Sequence, residues 1–292
     1  MMSISRPVCP LCGSQHYGAS WLGSTHYADR RFEYLRCNAC GSLYCHPMPD
    51  QDISSRLYGM DYAAFSGSQR DHPDTRLTSA LDVLAKRPPG RLIDYGCGDG
   101  SFLRAAAKLG WQCEGVEFSP EVVRDLSTAM GLPVVDANNL HALTGRADVV
   151  ALNDVIEHFS DLPSSFAAVL RLLKPSGLII AQGPLEANSN LFTHTVALHR
   201  RTRRATSATM PPYHVLLATA RGQRMFFRRV GLRELRFSVI EAAWPAPARL
   251  TRSVIGDSRA LGLFLLRRVS RITGAVLPSY SGNRYLYVGA PQ

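Results

Sequence analysis

Between residues 91 and 183 the chain alternates short apolar runs with longer segments whose apolar positions recur every three or four residues. The runs RLIDY (91–95), QCEGVEF (112–118), LPVVD (132–136), ADVVALN (147–153) and GLIIAQG (177–183) predict strands. The pattern between them predicts helices over Ser101–Leu109, Pro120–Met130 and Leu162–Leu173. Ser119 is placed to cap the second of these and Gly131 to end it. Buried strands alternating with helices predict an α/β fold with a parallel, doubly wound sheet. Further on, Val215–Val230 has helical spacing, while LRELRFSVI (232–240) and YLYVGA (285–290) predict strands. A long excursion, residues 241–282, separates those last two.

The first 50 residues lack such a period and are rich in Cys, Gly and Pro, which predicts a loop-rich module held by metal. Residues 51–88 read as a connector or helical cap, closed by RPPG (87–90). Residues 89–292 form the main domain, with a basic insertion at about 241–282. At 292 residues and 46% hydrophobic, the chain can bury one ordinary core plus a small accessory module. No run of 18 apolar residues is present and residues 1–10 lack an apolar signal core, so the expectation is a cytoplasmic protein, at most peripheral to a membrane. Seven cysteines, an odd number with four in C-x-x-C pairs, argue for metal binding rather than disulfides.

The net charge of +10 is unevenly spread. Residues 185–292 hold 17 of the 33 basic side chains, all arginine, against 4 of the 23 acidic ones. This is either a solvated arginine-rich surface or one that meets an acidic or phosphate-bearing partner.

Chemistry concentrates where strands end. RLIDYGCGDGSFL places Gly96, Gly98 and Gly100 between a strand and a helix, where glycine lets a ligand approach the backbone. The third glycine comes one residue too early for a dinucleotide fingerprint. Asp94 would repel a diphosphate but receive an ammonium group, which points to a nucleoside carrying a cationic amino acid. Glu117, 21 residues beyond Gly96, can accept from both ribose hydroxyls, and Asp136 from an adenine amino group. NDVIEH (153–158) gathers polar side chains at the next strand end.

In order and spacing, LIDYGCGDGSFL, GVEFSP, VVDA, LNDVIEHFSD and LLKPSGLIIAQGP resemble the motifs of class I S-adenosylmethionine-dependent methyltransferases over roughly residues 88–240. The resemblance implies a Rossmann-like, seven-stranded sheet ending in a hairpin, with S-adenosylmethionine lying across the strand ends. It further implies that Asp94, Tyr95, Gly96 and Gly98 line the methionine side and that Glu117 holds the ribose. Phe118 would pack on adenine, Asp136 with Ala137 would meet its edge, and Asn153 would lie beneath the sulfonium.

CPLCG (9–13) and CNACG (37–41) form two knuckles whose four thiolates, Cys9, Cys12, Cys37 and Cys40, suit a closed tetrahedral site for structural zinc. This zinc ribbon followed by LYCHPMPD and LYGMDYAAF resembles a methyltransferase subgroup acting on small molecules and sugar-containing metabolites.

For the acceptor side, His158 and His214 are the candidate bases, His194 and His199 being the other histidines after the fifth strand. Asp154, Glu157 and His158 have D-x-x-E-H spacing, similar to the E-x-x-E-H with which ubiquinone-pathway O-methyltransferases hold a divalent cation, here magnesium or manganese. PPY (211–213) is not the N-P-P-Y signature of amino-directed nucleic-acid methyltransferases, which would follow the fourth strand.

The leading expectation is O-methylation of a small metabolite, sugar or glycolipid intermediate. Two alternatives stand beside it: an RNA methyltransferase that uses the ribbon and the basic third, and a non-catalytic S-adenosylmethionine-binding scaffold. Arginine is not interleaved with aromatic residues as a stacking surface would need, so nucleic acid is the less favoured partner. Within residues 260–278, Arg267, Arg268 and Arg271 beside Leu263, Phe264, Leu266, Val269 and Ile272 predict either a helix on an anionic membrane surface or a lid or dimer helix of a homo-oligomer.

Overall fold

The computed structural model describes residues 6–58, 78–119, 123–124, 126–128, 131, 133–202, 211–241 and 249–292. Three strands open the chain: β1 (Tyr17–Tyr27), β2 (Arg30–Cys37) and β3 (Leu43–His46). Helices α1 (Gln51–Leu57) and α2 (Thr78–Ala85) follow. Next come β4 (Arg91–Tyr95), α3 (Ser101–Lys108), β5 (Gln112–Glu117), β6 (Val134–Asp136) and β7 (Ala147–Asn153). After α4 (Leu162–Arg171) and β8 (Leu173–Pro184) lie α5 (Leu191–Thr202), β9 (Leu216–Leu217) and α6 (Ala220–Arg229). The chain closes with β10 (Leu232–Ile240), α7 (Arg252–Gly256), α8 (Ser258–Val276), α9 (Pro278–Ser281) and β11 (Arg284–Pro291).

The larger sheet has seven strands in the order β10-β11-β8-β7-β4-β5-β6. Strands β4 to β8 run parallel, and β11 joins them antiparallel to both β8 and β10. This is the expected class I architecture with its terminal hairpin. Strand order reverses at β4, whose neighbours are β5 on one side and β7 on the other, so a crevice opens above its carboxyl end.

Alternation along the strands sends residues to two cores. Ile93, Val150, Leu152, Ile179 and Tyr287 face one side, packed on Phe166, Phe226 and Phe227. Leu92, Val149, Ile180 and Val288 face the other, packed on Leu84, Phe102, Leu103 and Trp111. Phe227 stacks on Tyr287 with ring centroids 3.7 Å apart, anchoring α6 to the hairpin.

The loop-rich reading of the first 50 residues does not hold. They form an antiparallel sheet in which Ala28 and Asp29, at φ 48° and 59°, make the two-residue turn between β1 and β2. Phe32, Tyr34, Leu35 and Cys37 carry the buried face of β2. A register shift between Ala19 and Ser24 breaks the alternation along β1 and hides it from a period-2 search. The helical spacing over Val215–Val230 likewise resolves into two elements. Its first residues form β9, which pairs antiparallel with β3 (Leu43↔Leu217, Tyr44↔Leu216), and only Ala220–Arg229 is helix. The ribbon's Leu11, Phe32, Leu43 and Tyr44 thereby join the same buried cluster as Phe166 and Phe226. The predicted Pro120–Met130 helix lies partly outside the described residues, as does LYGMDYAAF from Gly59 onward.

Candidate active site at the strand ends

The loop after β4 holds Gly96, Gly98 and Gly100 at φ +78°, +52° and +72°, a region L side chains rarely adopt. A Cβ on Gly96 would come within 2.7 Å of Val155 Cγ2, whereas one on Gly98 would meet nothing within 4 Å. The loop is thus pressed against the core at one glycine and open at the next. Below it, Asp94 is 1% exposed and accepts a hydrogen bond from Asn153 Nδ2 at 3.1 Å across the β4–β7 crevice. Burial pushes the Asp94 carboxyl up to about 7; Glu117 and Asp99 add to the rise and the Asn153 hydrogen bond opposes it. Asn153 Oδ1 is buried with no partner among the described residues.

Glu117 ends β5 directly opposite Asp136 of β6. Its carboxylate accepts from the backbone amides of Gly98 (2.9 Å) and Phe118 (2.6 Å). Asp136 accepts from Asn138 N at 2.7 Å, and Ala137 N donates to Glu117 O at 2.9 Å. The Phe118 ring is 45% exposed. Tyr95, by contrast, is buried edge-on between Phe118 and Phe159, so its side chain supports the loop from beneath.

The end of β7 builds a second cluster. Asp154 takes φ +56°, and its carboxylate accepts from Arg284 Nη2 at 2.5 Å. Glu157 and His158 lie on the turn that follows, and they group with His214 rather than with Asp154: the Glu157, His158 and His214 ligand atoms lie within 4.8 Å of one another. His158 Nδ1 donates to the Tyr213 carbonyl at 2.7 Å; the Tyr58 hydroxyl donates to the same carbonyl at 2.6 Å. His214 Nδ1 donates to Glu186 Oε2 at 2.7 Å, and the two imidazoles meet edge to face with centroids 4.9 Å apart. Burial, reinforced by His214, depresses His158 to about 3. Burial alone would depress His214 too, but Glu186, Glu157 and Asp154 outweigh it and raise His214 to about 9. Burial and the Asp154 charge push Glu157 up to about 8, and its Oε1 has no partner among the described residues.

Residues 213–215 are tied down from several sides. Tyr34 of β2 donates to His214 O at 2.8 Å, Cys45 N to Val215 O at 2.8 Å, and Val215 N to Glu157 O at 2.9 Å. The ribbon therefore positions His214. Of the other histidines, His194 bonds Ser189 Oγ at 2.9 Å outside this cluster, and the His199 side chain lies outside the described residues. Glu186, Tyr34, Tyr58 and Arg284 escape the sequence reading. Only Glu186, an acid just past the end of β8, carried a signal that could have found it.

In the ribbon, Cys9 and Cys40 Sγ stand 3.8 Å apart, Cys12 and Cys37 Sγ 3.5 Å, and all four sulfurs lie within 4.8 Å. Four thiolates about 2.3 Å from one zinc ion would be about 3.8 Å apart, so the spacing fits that metal. Gly13 and Gly41, at φ +78° and +80°, turn the chain after each pair. Cys45 stays outside the cluster, and burial pushes its thiol up to about 12.

The sequence profile of the methyltransferase domain family matches residues 68–234, over half of the chain. The chain belongs to this family. It carries an S-adenosylmethionine-dependent methyltransferase domain of the class I fold. Over 110 residues this methyltransferase is 32% identical to the ubiquinone biosynthesis O-methyltransferase of Xanthomonas campestris pv. campestris, covering 34% of the chain and 46% of the relative. Over 115 residues it is 31% identical to norajmaline N-methyltransferase of Rauvolfia serpentina, covering 36% and 39% respectively. The chain thus spans less than half the length of either relative. Its fold matches that of Burkholderia thailandensis 1,6-didemethyltoxoflavin-N1-methyltransferase, solved with 1,6-didemethyltoxoflavin and S-adenosylhomocysteine, at TM-score 0.54 and 13% identity over 92% of this chain and 99% of the other. A complex of the Haloferax volcanii Trm112 methyltransferase activator with a methyltransferase gives TM-score 0.53 and 19% identity over 80% and 97%. Among the described residues no helix is long and apolar enough to cross a membrane.

Proposed function

We propose that this methyltransferase methylates a hydroxyl group of a small metabolite, a sugar or a glycolipid intermediate. The Glu186–His214 pair at the acceptor end of the sheet carries the reading. A hydroxyl has to give up its proton as its oxygen takes the methyl carbon, whereas a neutral amine attacks with a free lone pair. An imidazole whose Nδ1 is held by a carboxylate presents Nε2 for that proton.

Bound S-adenosylmethionine supplies a methyl group already activated on a sulfonium. Asp94 would receive the donor's ammonium group, and Asn153, which bonds Asp94 and keeps its Oδ1 unpaired among the described residues, would answer the sulfonium charge. Gly96 and Gly98 leave room for the methionine chain, Glu117 holds the ribose hydroxyls, Phe118 covers the adenine, and Asp136 with Ala137 meets its edge. His214 takes the hydroxyl proton while Glu186 fixes its tautomer. His158, kept neutral by burial, is a positioning residue that braces the Tyr213 carbonyl. Zinc on Cys9, Cys12, Cys37 and Cys40 is structural, since four thiolates leave no open position.

A magnesium or manganese ion on Glu157, His158 and His214 would occupy the Nε2 that the base role requires, so the two readings exclude each other. The test measures S-adenosylhomocysteine release with panels of hydroxylated and amino acceptors, for the wild type and His214→Asn. Turnover on hydroxyl acceptors, lost about 10²–10⁴-fold in His214→Asn at unchanged donor affinity, supports the reading. Turnover confined to amines, or activity lost to EDTA at constant zinc content and restored by manganese, overturns it.

A further inference from the structure

Helix α8 is apolar on the side that packs inward and also on the side that faces solvent. Phe264, Ser270 and Gly274 are buried, and a Cβ on Gly274 would meet Glu241 Cβ at 2.7 Å, so the inward face fits closely. On the outward face Leu265, Val269, Ile272 and Val276 recur at intervals of four, three and four residues, a single stripe at 3.6 residues per turn. They are 46–71% exposed, and Leu277 and Tyr280 extend the apolar surface past the helix end at 58% and 63%. A soluble surface helix spends its outward face on polar residues; this one does not.

The charge around the stripe decides what covers it. Residues 249–282 contain six arginines (Arg249, Arg252, Arg259, Arg267, Arg268 and Arg271) and one acid, Asp257. That acid is already engaged, since its carboxylate caps α8 by accepting from the Arg259 and Ala260 amides at 2.9 and 3.3 Å. Helical projection puts Arg268 on one flank of the stripe and Arg259 on the other. The Arg268 guanidinium sits 5.2 Å from the Phe264 ring centroid, one turn back along the helix. A second copy of the chain would bring the same arginine-rich border against itself without acids to answer it. RNA would answer the charge but not four exposed aliphatic side chains, because bases stack on aromatic rings.

We infer that the outward face of α8 docks on an anionic lipid surface, its aliphatic stripe entering the acyl boundary and its arginines meeting the headgroups. The helix lies in the interface plane and does not cross it. This docking is independent of which acceptor atom is methylated, and it places the enzyme where lipid-linked substrates are found.

The test is co-sedimentation of the full chain with phosphatidylcholine vesicles and with vesicles containing about one-third phosphatidylglycerol, at low and high salt. The expected result is binding to the anionic vesicles that weakens with salt and falls at least about tenfold in both Val269→Glu/Ile272→Glu and Arg268→Glu/Arg271→Glu. S-adenosylmethionine titration of each variant is expected to match the wild type and reports folding. Three results overturn the inference: no sedimentation at low salt, sedimentation unchanged by Val269→Glu/Ile272→Glu, or a dimer in light scattering that this variant splits. Retention of RNA in place of vesicles overturns it as well.

Discussion

The donor end of the site makes a prediction that pH can read. Asp94 is almost fully buried, and in the free protein its carboxyl titrates near 7: burial dominates, Glu117 and Asp99 add to it, and Asn153 opposes it. A donor that places an ammonium group against Asp94 favours the ionised form, so binding expels the proton. The sign follows directly. Below pH 7 a growing fraction of the free protein carries the proton that has to leave, and affinity falls with pH. With a free-state pKa of 7 and a carboxylate that stays ionised when bound, Kd scales as one plus the ratio of protonated to ionised Asp94. That makes Kd at pH 5.5 about sixteen times its value at pH 7. This window lies below the titration of an ordinary α-amino group at about 7.7–8.0, so the ligand keeps its charge throughout. Calorimetric titration with S-adenosylmethionine in two buffers of different ionisation enthalpy checks both numbers: about one proton is released at pH 5.5 and about half a proton at pH 7. Asp94→Asn is expected to bind about 10–100-fold more weakly at pH 7, the cost of losing a charged hydrogen bond, and to bind independently of pH. A flat wild-type profile, or a variant with the wild-type slope, refutes the reasoning and removes Asp94 from the ammonium site.

Two further outcomes are expected. The purified protein carries one zinc per chain, and Cys37→Ala loses it together with thermal stability and turnover while keeping most donor affinity, because β3 and Tyr34 hold the His214 segment while the donor residues lie at β4 to β7; metal analysis, a melting curve and a donor titration of the same sample decide this. Glu186→Gln lowers the pKa of His214 from about 9 by about 1–3 units, toward the lower end because the pair is 35% and 38% exposed and solvent screens it. A base acts in its neutral form, so wild-type kcat/KM rises with pH to about 9 and the variant reaches its plateau at lower pH; a plateau that does not move excludes the pair as the base.

The strand ends that carry the proposed donor half were legible in the sequence for a physical reason. Its residues sit one per strand end, so Asp94, Glu117, Asp136 and Asn153 each close a short apolar run and can be found with only their neighbours in view. The acceptor half depends on contacts across long stretches of chain. Strand β9 has two residues, too few to show a period, and its partners Leu43 and Tyr44 lie in the ribbon. The apolar run Val215–Leu217 therefore reads as the start of the helix that begins only at Ala220. Glu186 meets His214 across 28 residues, and nothing near either one signals the pairing. D-x-x-E-H spacing suggests one cation site, but it presumes a regular helix. Here Asp154 takes a left-handed backbone and turns to Arg284, which leaves His214 to complete the cluster.

The pattern of hydrogen bonding separates the two halves once more. On the donor side, Glu117 and Asp136 are satisfied by backbone amides that a ligand can share. At the ends of β7 and β8, Asn153 Oδ1, Glu157 Oε1 and Gln182 Nε2 are buried without partners among the described residues. Each such group costs about 1–3 kcal/mol for as long as it stays unpaired. In the proposed donor site, Asn153 would be answered by the positive charge of the sulfonium. Glu157, titrating near 8, holds a proton at neutral pH and offers an O–H, and Gln182 Nε2 offers an N–H. Both therefore call for a hydrogen-bond acceptor. Neither atom reaches the surface, so a substrate pairs with them only if the side chains packed over them shift. Under the proposed function, a substrate rich in hydroxyl or carbonyl oxygens would then pair with both groups and a purely aliphatic one would not.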